Sequence, residues 1–90
     1  MESHIAEFVV AKAGKDIGDC YMVVSEEDNY LFLSDGKRRK VSNPKKKKIK
    51  HVSFSGVRSD SAHEKLNNAG TLTDKAVRVA LSDFLSKYEK

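Results

Sequence analysis

Tyr30-Leu-Phe-Leu-Ser-Asp-Gly-Lys-Arg-Arg-Lys-Val-Ser-Asn-Pro-Lys-Lys-Lys-Lys-Ile-Lys-His51 is the stretch whose reading decides how this 90-residue chain folds. It opens with a β-rich run over residues 30–34 and breaks at Asp35-Gly36, a pair suited to the left-handed backbone of a two-residue hairpin. The chain is then expected to return as a strand over residues 37–42. Pro44 has no amide hydrogen and pushes Asn43 out of helical space, so it ends that strand. Beyond it, Ile49-Lys-His-Val-Ser-Phe54 alternates apolar with polar residues and reads as one more strand.

Upstream, residues 7–12 (Glu-Phe-Val-Val-Ala-Lys) and 20–25 (Cys-Tyr-Met-Val-Val-Ser) read as two strands. The loop between them holds Gly14 and Gly18, one or both at positive φ. The acidic turn Glu26-Glu-Asp-Asn29 leads into the run at Tyr30. Five short strands joined by tight turns fit a small barrel, which removes the exposed edges of an open sheet. Leu31 and Leu33 point one way and Tyr30 and Phe32 the other, so the sheet calls for a covering element outside the barrel.

The C-terminus supplies one. A helix starting at Thr71 or Thr73 lines up Val77, Ala80, Leu81, Phe84, Leu85 and Tyr88 at i, i+3, i+4 spacing. A Thr cap, Asp74 in the first turn and Lys87 in the last suit the helix dipole. Val79 is a misfit on the polar side. Residues 55–70 are either a mobile loop or carry one helical turn capped by Ser61-Ala-His-Glu64. The expected organisation is one domain over 1–90: a barrel over 5–54, a connecting loop over 55–70 and a helix over 71–88.

Charge is distributed unevenly. Nine of the seventeen Lys and Arg residues fall within residues 37–51, where no Asp or Glu interrupts them. The rest of the chain holds eight bases against all thirteen acids. A neutral-to-acidic body carrying one concentrated cationic segment is suited to phosphate. No apolar run approaches the ~20 residues of a membrane helix, and the first residues lack the basic start and apolar stretch of a secretory signal. The lone Cys20 cannot close an internal disulfide, so a cytoplasmic setting is expected.

Val9-Val-Ala-Lys-Ala-Gly14-Lys-Asp-Ile-Gly18-Asp-Cys-Tyr-Met-Val-Val24 resembles a KOW motif: a strand, a loop with a fixed glycine, and a second strand. Gly18 corresponds to the central glycine and Gly14 to an earlier one. Asp19-Cys20 departs from the basic or small residue usual after that glycine. Together with Asp35-Gly-Lys-Arg-Arg-Lys-Val41, Asn43-Pro-Lys-Lys-Lys-Lys-Ile-Lys-His51 and Leu72-Thr-Asp74, the chain is similar to a group of small bacterial KOW-domain RNA-binding proteins. These are related to archaeal and eukaryotic large-subunit ribosomal proteins. The resemblance implies an SH3-like barrel that binds RNA, commonly ribosomal RNA, in translation.

The expected RNA contacts are Lys37, Arg38, Arg39, Lys40, Lys45, Lys46, Lys47, Lys48, Lys50 and His51, with Lys12 and Lys15 as secondary ones. Lysine heads track phosphates, whereas Arg38 and Arg39 offer planar forks. In a strand, Lys37 and Arg39 would share a face with Val41 and oppose Arg38 and Lys40, so the hairpin end should protrude. The plain alternative is a solvated face or an import signal. Tyr21, Tyr30 and Phe32 are either base-stacking platforms or core. His51 either meets the nucleic acid or is merely a half-exposed strand end.

Catalysis has little to stand on. Cys20 with the scattered His4, His51 and His63 shows no ligand spacing, and the glycine loop lacks the Gly-Lys-Ser/Thr ending of a phosphate loop. A small buried thiol is the simplest reading of Cys20. No enzyme, cofactor, metal, membrane or small-molecule substrate is expected, and the partner is ribosomal RNA or the large ribosomal subunit. The alternative is an SH3-like interaction module holding a peptide or modified lysine in an aromatic groove.

Overall fold

The computed structural model describes residues 3–67 and 71–88. In order they form strands β1 (Glu7–Ala11), β2 (Cys20–Glu27), β3 (Tyr30–Ser34) and β4 (Lys45–Lys48), then a 3-10 turn over Ile49–His51. Strand β5 (Val52–Arg58) and helices α1 (Asp60–Asn67) and α2 (Asp74–Tyr88) complete the chain. All neighbouring strands are antiparallel, in the order β4-β3-β2-β1-β5.

The expected closed barrel is corrected in one respect: no ladder joins β4 to β5, and the sheet is open. Yet only the three residues of the 3-10 turn link these two outermost strands. The four Cα steps from Lys48 to Val52 span at most about 14 Å, less than the roughly 19 Å between the outer strands of a flat five-stranded sheet, so the sheet must curl at that end. The turn bridges the gap in place of a closing ladder.

The returning strand is also not where the local signals put it. Residues 37–42 form no strand, and the partner of β3 is the lysine run itself: Leu33 opposes Lys45, Phe32 Lys46, Leu31 Lys47 and Tyr30 Lys48. Side chains around Asp35 take the backbone groups that a hairpin would need. Asp35 Oδ1 accepts from the amides of Lys37 (2.8 Å) and Arg39 (3.0 Å), and Ser34 Oγ donates to the Arg39 carbonyl (2.7 Å). Such local side-chain bonds compete with strand pairing. The two-residue hairpin lies instead at Asp28-Asn29, where Glu27 pairs with Tyr30 and Asp28 takes φ +52°.

The curled sheet packs two cores. Val9, Ala11, Tyr21, Val23, Leu31, Leu33 and Val52 fill its concave side. On the opposite face Phe8 and Met22 meet Ala62 of α1, Leu72, and Val77 and Leu81 of α2. Phe84 stacks on Phe8 with ring centroids 4.4 Å apart. Burial on both faces therefore holds for β1 and β2. On β3 it does not: Leu31 and Leu33 are buried, but Tyr30 and Phe32 remain half-exposed.

The helices are capped from their flanks. Thr73 Oγ1 accepts from the Ala76 amide at 3.1 Å, which fixes the expected start of α2. Val79 is exposed, as its place on the polar side implies. The Tyr88 side chain falls outside the described residues, as do Asn68, Ala69 and Gly70 of the connecting stretch. Its described part, residues 55–67, is more regular than a loop with one turn. Strand β5 runs to Arg58, and α1 is capped by Ser59, whose Oγ accepts from Ala62 N, and not by Ser61. No helix among the described residues is long and apolar enough to cross a membrane.

Candidate nucleic-acid interface

Strand alternation divides the four lysines of β4 into two pairs. Lys45 and Lys47 point with Leu33 and Leu31 toward the concave side, where Asp16 of the β1–β2 loop receives them. Lys47 Nζ lies 2.8 Å from Asp16 Oδ1, and Lys45 Nζ 3.5 Å from Oδ2. Only 9% of Lys47 is accessible, so the lysine run is not exposed throughout. A lysine directed at a nonpolar interior needs a charged partner, and Asp16 supplies it.

Burial, the largest single influence on Asp16, pushes its carboxyl upward. The Lys47 hydrogen bond, the loop's own backbone donor and the charges of Lys45 and Lys47 together outweigh it, leaving a pKa of about 2. Tyr21 closes this inner cluster by donating its hydroxyl to Asp16 Oδ2 at 3.2 Å. Burial first, then the surrounding carboxylates of Asp16, Asp19 and Asp35 with that hydrogen bond, push the phenol up to about 12. Tyr21 is therefore core, with 5% accessible, and is no stacking platform.

Lys46 and Lys48 point outward. Lys46 Nζ sits 4.4 Å above the Tyr30 ring centroid and 6.0 Å from that of Phe32. A cation over an exposed ring contributes about 0.5–1 kcal/mol. Base stacking on such a ring contributes about 1–3 kcal/mol. Beside them, Asn29, Tyr30, Lys48, Ile49 and Lys50 border a cleft of about 450 Å³. Its two walls are tied together, since the Ile49 amide donates to the Asn29 carbonyl at 2.9 Å.

The remaining predicted contacts fall into two further groups. Lys12, Lys15 and both glycines belong to the β1–β2 loop, with Gly14 at φ +90° and Gly18 at +92°. This loop meets β4 through Asp16, and the Lys12 amide donates to the carbonyl of half-buried His51 at 2.9 Å. Lys37, Arg38 and Lys40 are exposed and Arg39 half-buried on the loop after β3. That loop is clamped to α2: Val41 N donates to Asp74 Oδ1 (2.7 Å), and Arg78 Nη1 donates to the Gly36 carbonyl (2.7 Å). The two basic clusters are thus a clamped loop and an edge strand in succession, not the two sides of one hairpin.

Lys37 also reaches a groove of about 930 Å³ between α1 and α2, where Lys65, Lys75 and Arg78 add positive charge and Asp83 opposes it. Sequence reasoning gave no role to Asp16, Asn29 or Arg78. Alternation applied to the four lysines would have exposed the need for a partner such as Asp16; nothing local marks the other two. His4 precedes β1, His51 ends the 3-10 turn and His63 lies in α1, while Cys20 is half-buried at the start of β2. No protein-family model matches the chain, and no curated protein matches it.

Proposed function

We propose that this protein docks on structured RNA, with ribosomal RNA of the large subunit in the cytoplasm as the favoured target by resemblance, and performs no chemistry on it. The observation that carries the reading is the outer face of edge strand β4. There Lys46 and Lys48 are exposed, Lys50 follows on the 3-10 turn, and no acid interrupts residues 37–51. Cations held on an edge strand meet phosphates without the ordering cost that a loose tail would bear. The strand order and the 3-10 turn between β4 and β5 support the finer fold reading, a curled sheet of the SH3-like barrel kind.

Lys46→Ala, Lys48→Ala and Lys50→Ala combined should weaken binding to ribosomal RNA fragments while sparing the Asp16–Lys47 pair. If ~6 phosphates are neutralised, log K falls with log salt at a slope of about −4 on single-stranded RNA and about −5 on paired segments, and the triple variant loses about 2–3 of that slope. Undiminished affinity in the variant, or salt-independent binding by the parent, would falsify the reading.

A second reading has one observation in its favour. Lys46 over Tyr30 and Phe32 is itself a lysine seated on aromatic rings, so an interaction module for a peptide or modified lysine would use the same face. Peptide binding that survives high salt and is lost in Phe32→Ala would favour it.

A further inference from the structure

We infer that the cleft between the β2–β3 turn and the 3-10 turn seats one unpaired nucleotide of the bound RNA, its base stacked on Tyr30 and its phosphate between Lys48 and Lys50. This rests on the RNA-docking reading and adds a site of discrimination to it.

The cleft's composition matches a nucleotide part by part. Tyr30 and Ile49 offer apolar surface for a flat base, and Lys48 and Lys50, both exposed, border the same space. Asn29, also on its rim, carries both a donor and an acceptor. Its side-chain amide has no hydrogen-bond partner among the described residues. A cleft of about 450 Å³ lies within the range of small-ligand sites and accommodates a single nucleotide. The Ile49–Asn29 backbone bond holds the walls in place before any ligand arrives.

Tyr30, half-exposed like Phe32, lacks the cover that Phe8 and Tyr21 receive. Phe8 and Phe84 stack on each other under α2, and Tyr21 is buried against Asp16. Tyr30 has only the flexible head of Lys46 over its ring. An arriving base displaces that ammonium, which remains long enough to follow the adjoining phosphate. The exchange favours the base, because stacking exceeds an exposed cation–ring contact. Paired A-form RNA keeps its bases inside the stack, so only a loop, bulge or end can fill the seat.

The test compares three probes at one salt concentration: a hairpin RNA with 2-aminopurine in its loop, a fully paired duplex of equal charge, and adenosine 5′-monophosphate. The parent should bind the looped RNA more tightly than the duplex and change the 2-aminopurine fluorescence on binding. Tyr30→Ala should weaken the looped RNA about tenfold or more and leave the duplex nearly unchanged. Tyr30→Trp, which keeps a stacking face, should retain affinity and show tryptophan quenching by the looped RNA. Equal binding of loop and duplex, unaltered by Tyr30→Ala, would remove the nucleotide seat while leaving RNA docking intact. Failure of every RNA to bind would remove both. Adenosine monophosphate binding as tightly as the loop would make the cleft a free-nucleotide site. Quenching of Tyr30→Trp by a trimethyllysine peptide and not by RNA would assign the ring to a protein partner. Either of these last two results overturns the inference.

Discussion

Lys47 and Asp16 meet at 2.8 Å with only about a tenth of each side chain accessible. This makes Lys47 a different kind of residue from Lys46, one position away in an otherwise uniform run. Its ammonium sits on the concave side of the sheet, and removing its partner would leave it partly desolvated and unpaired. Asp16→Asn should therefore destabilise the fold by about 1–3 kcal/mol near neutral pH, measured by denaturant unfolding. The pH dependence has a defined sign. The folded carboxyl, near 2, lies below its ordinary 3.8, so its contribution is present above about pH 4 and is lost as pH falls toward 2. Across that window the parent's melting temperature should drop more steeply than that of Asp16→Asn, and parallel curves would contradict the assignment. The alternation behind the inward lysines was legible in the sequence. The identity of their partner was not, because Asp16 and Lys47 are separated by a loop and two strands.

The elements around β3 show local signals being outcompeted. Asp35-Gly36 has hairpin chemistry, and Gly36 does take φ +74°, but the turn serves a different end. A Cβ on Gly36 would run into the Asp74 carbonyl oxygen and Arg78 of α2, so glycine is needed there for close approach of the loop to the helix as well as for its backbone. Gly18, at φ +92°, faces open space, and a Cβ there would meet nothing within 4 Å. Gly18→Ala should then cost only the left-handed backbone penalty, about 1–2 kcal/mol. Gly36→Ala should add an overpacking penalty of about 1–3 kcal/mol. Equal losses in thermal unfolding would mean that the loop does not depend on α2. The strand formed by four lysines is consistent with its position at the sheet edge, where charged side chains guard against pairing with other chains.

At the scale of the molecule, the sheet stands between two cores and depends on α2 for the outer one. Val77 and Leu81 are buried against Phe8 and Met22, with Phe84 stacked on Phe8. Full burial of each such side chain contributes about 1.5–3 kcal/mol, so their loss together is comparable to the whole stability of a small domain, about 5–15 kcal/mol. A chain ending before Leu72 would also lose Asp74 and Arg78, which clamp the basic loop. It should show no cooperative thermal transition by circular dichroism. A truncated chain that melts cooperatively would show that the concave core suffices.

The first three strands, the glycine loop, the capped C-terminal helix and the acid-free basic segment could be recognised from the sequence, because each rests on composition or periodicity within a few residues. Which run would pair with β3 could not, since that choice was made by Ser34 and Asp35 taking up the loop backbone and by Asp74 holding Val41. Nor could the sheet's open seam, which depends on how far the curl carries β4 toward β5. The division of the lysines between an interior ion pair and an outward face followed from that register. Local sequence determined the supply of strands and charge; long-range hydrogen bonding and packing decided where that charge faces.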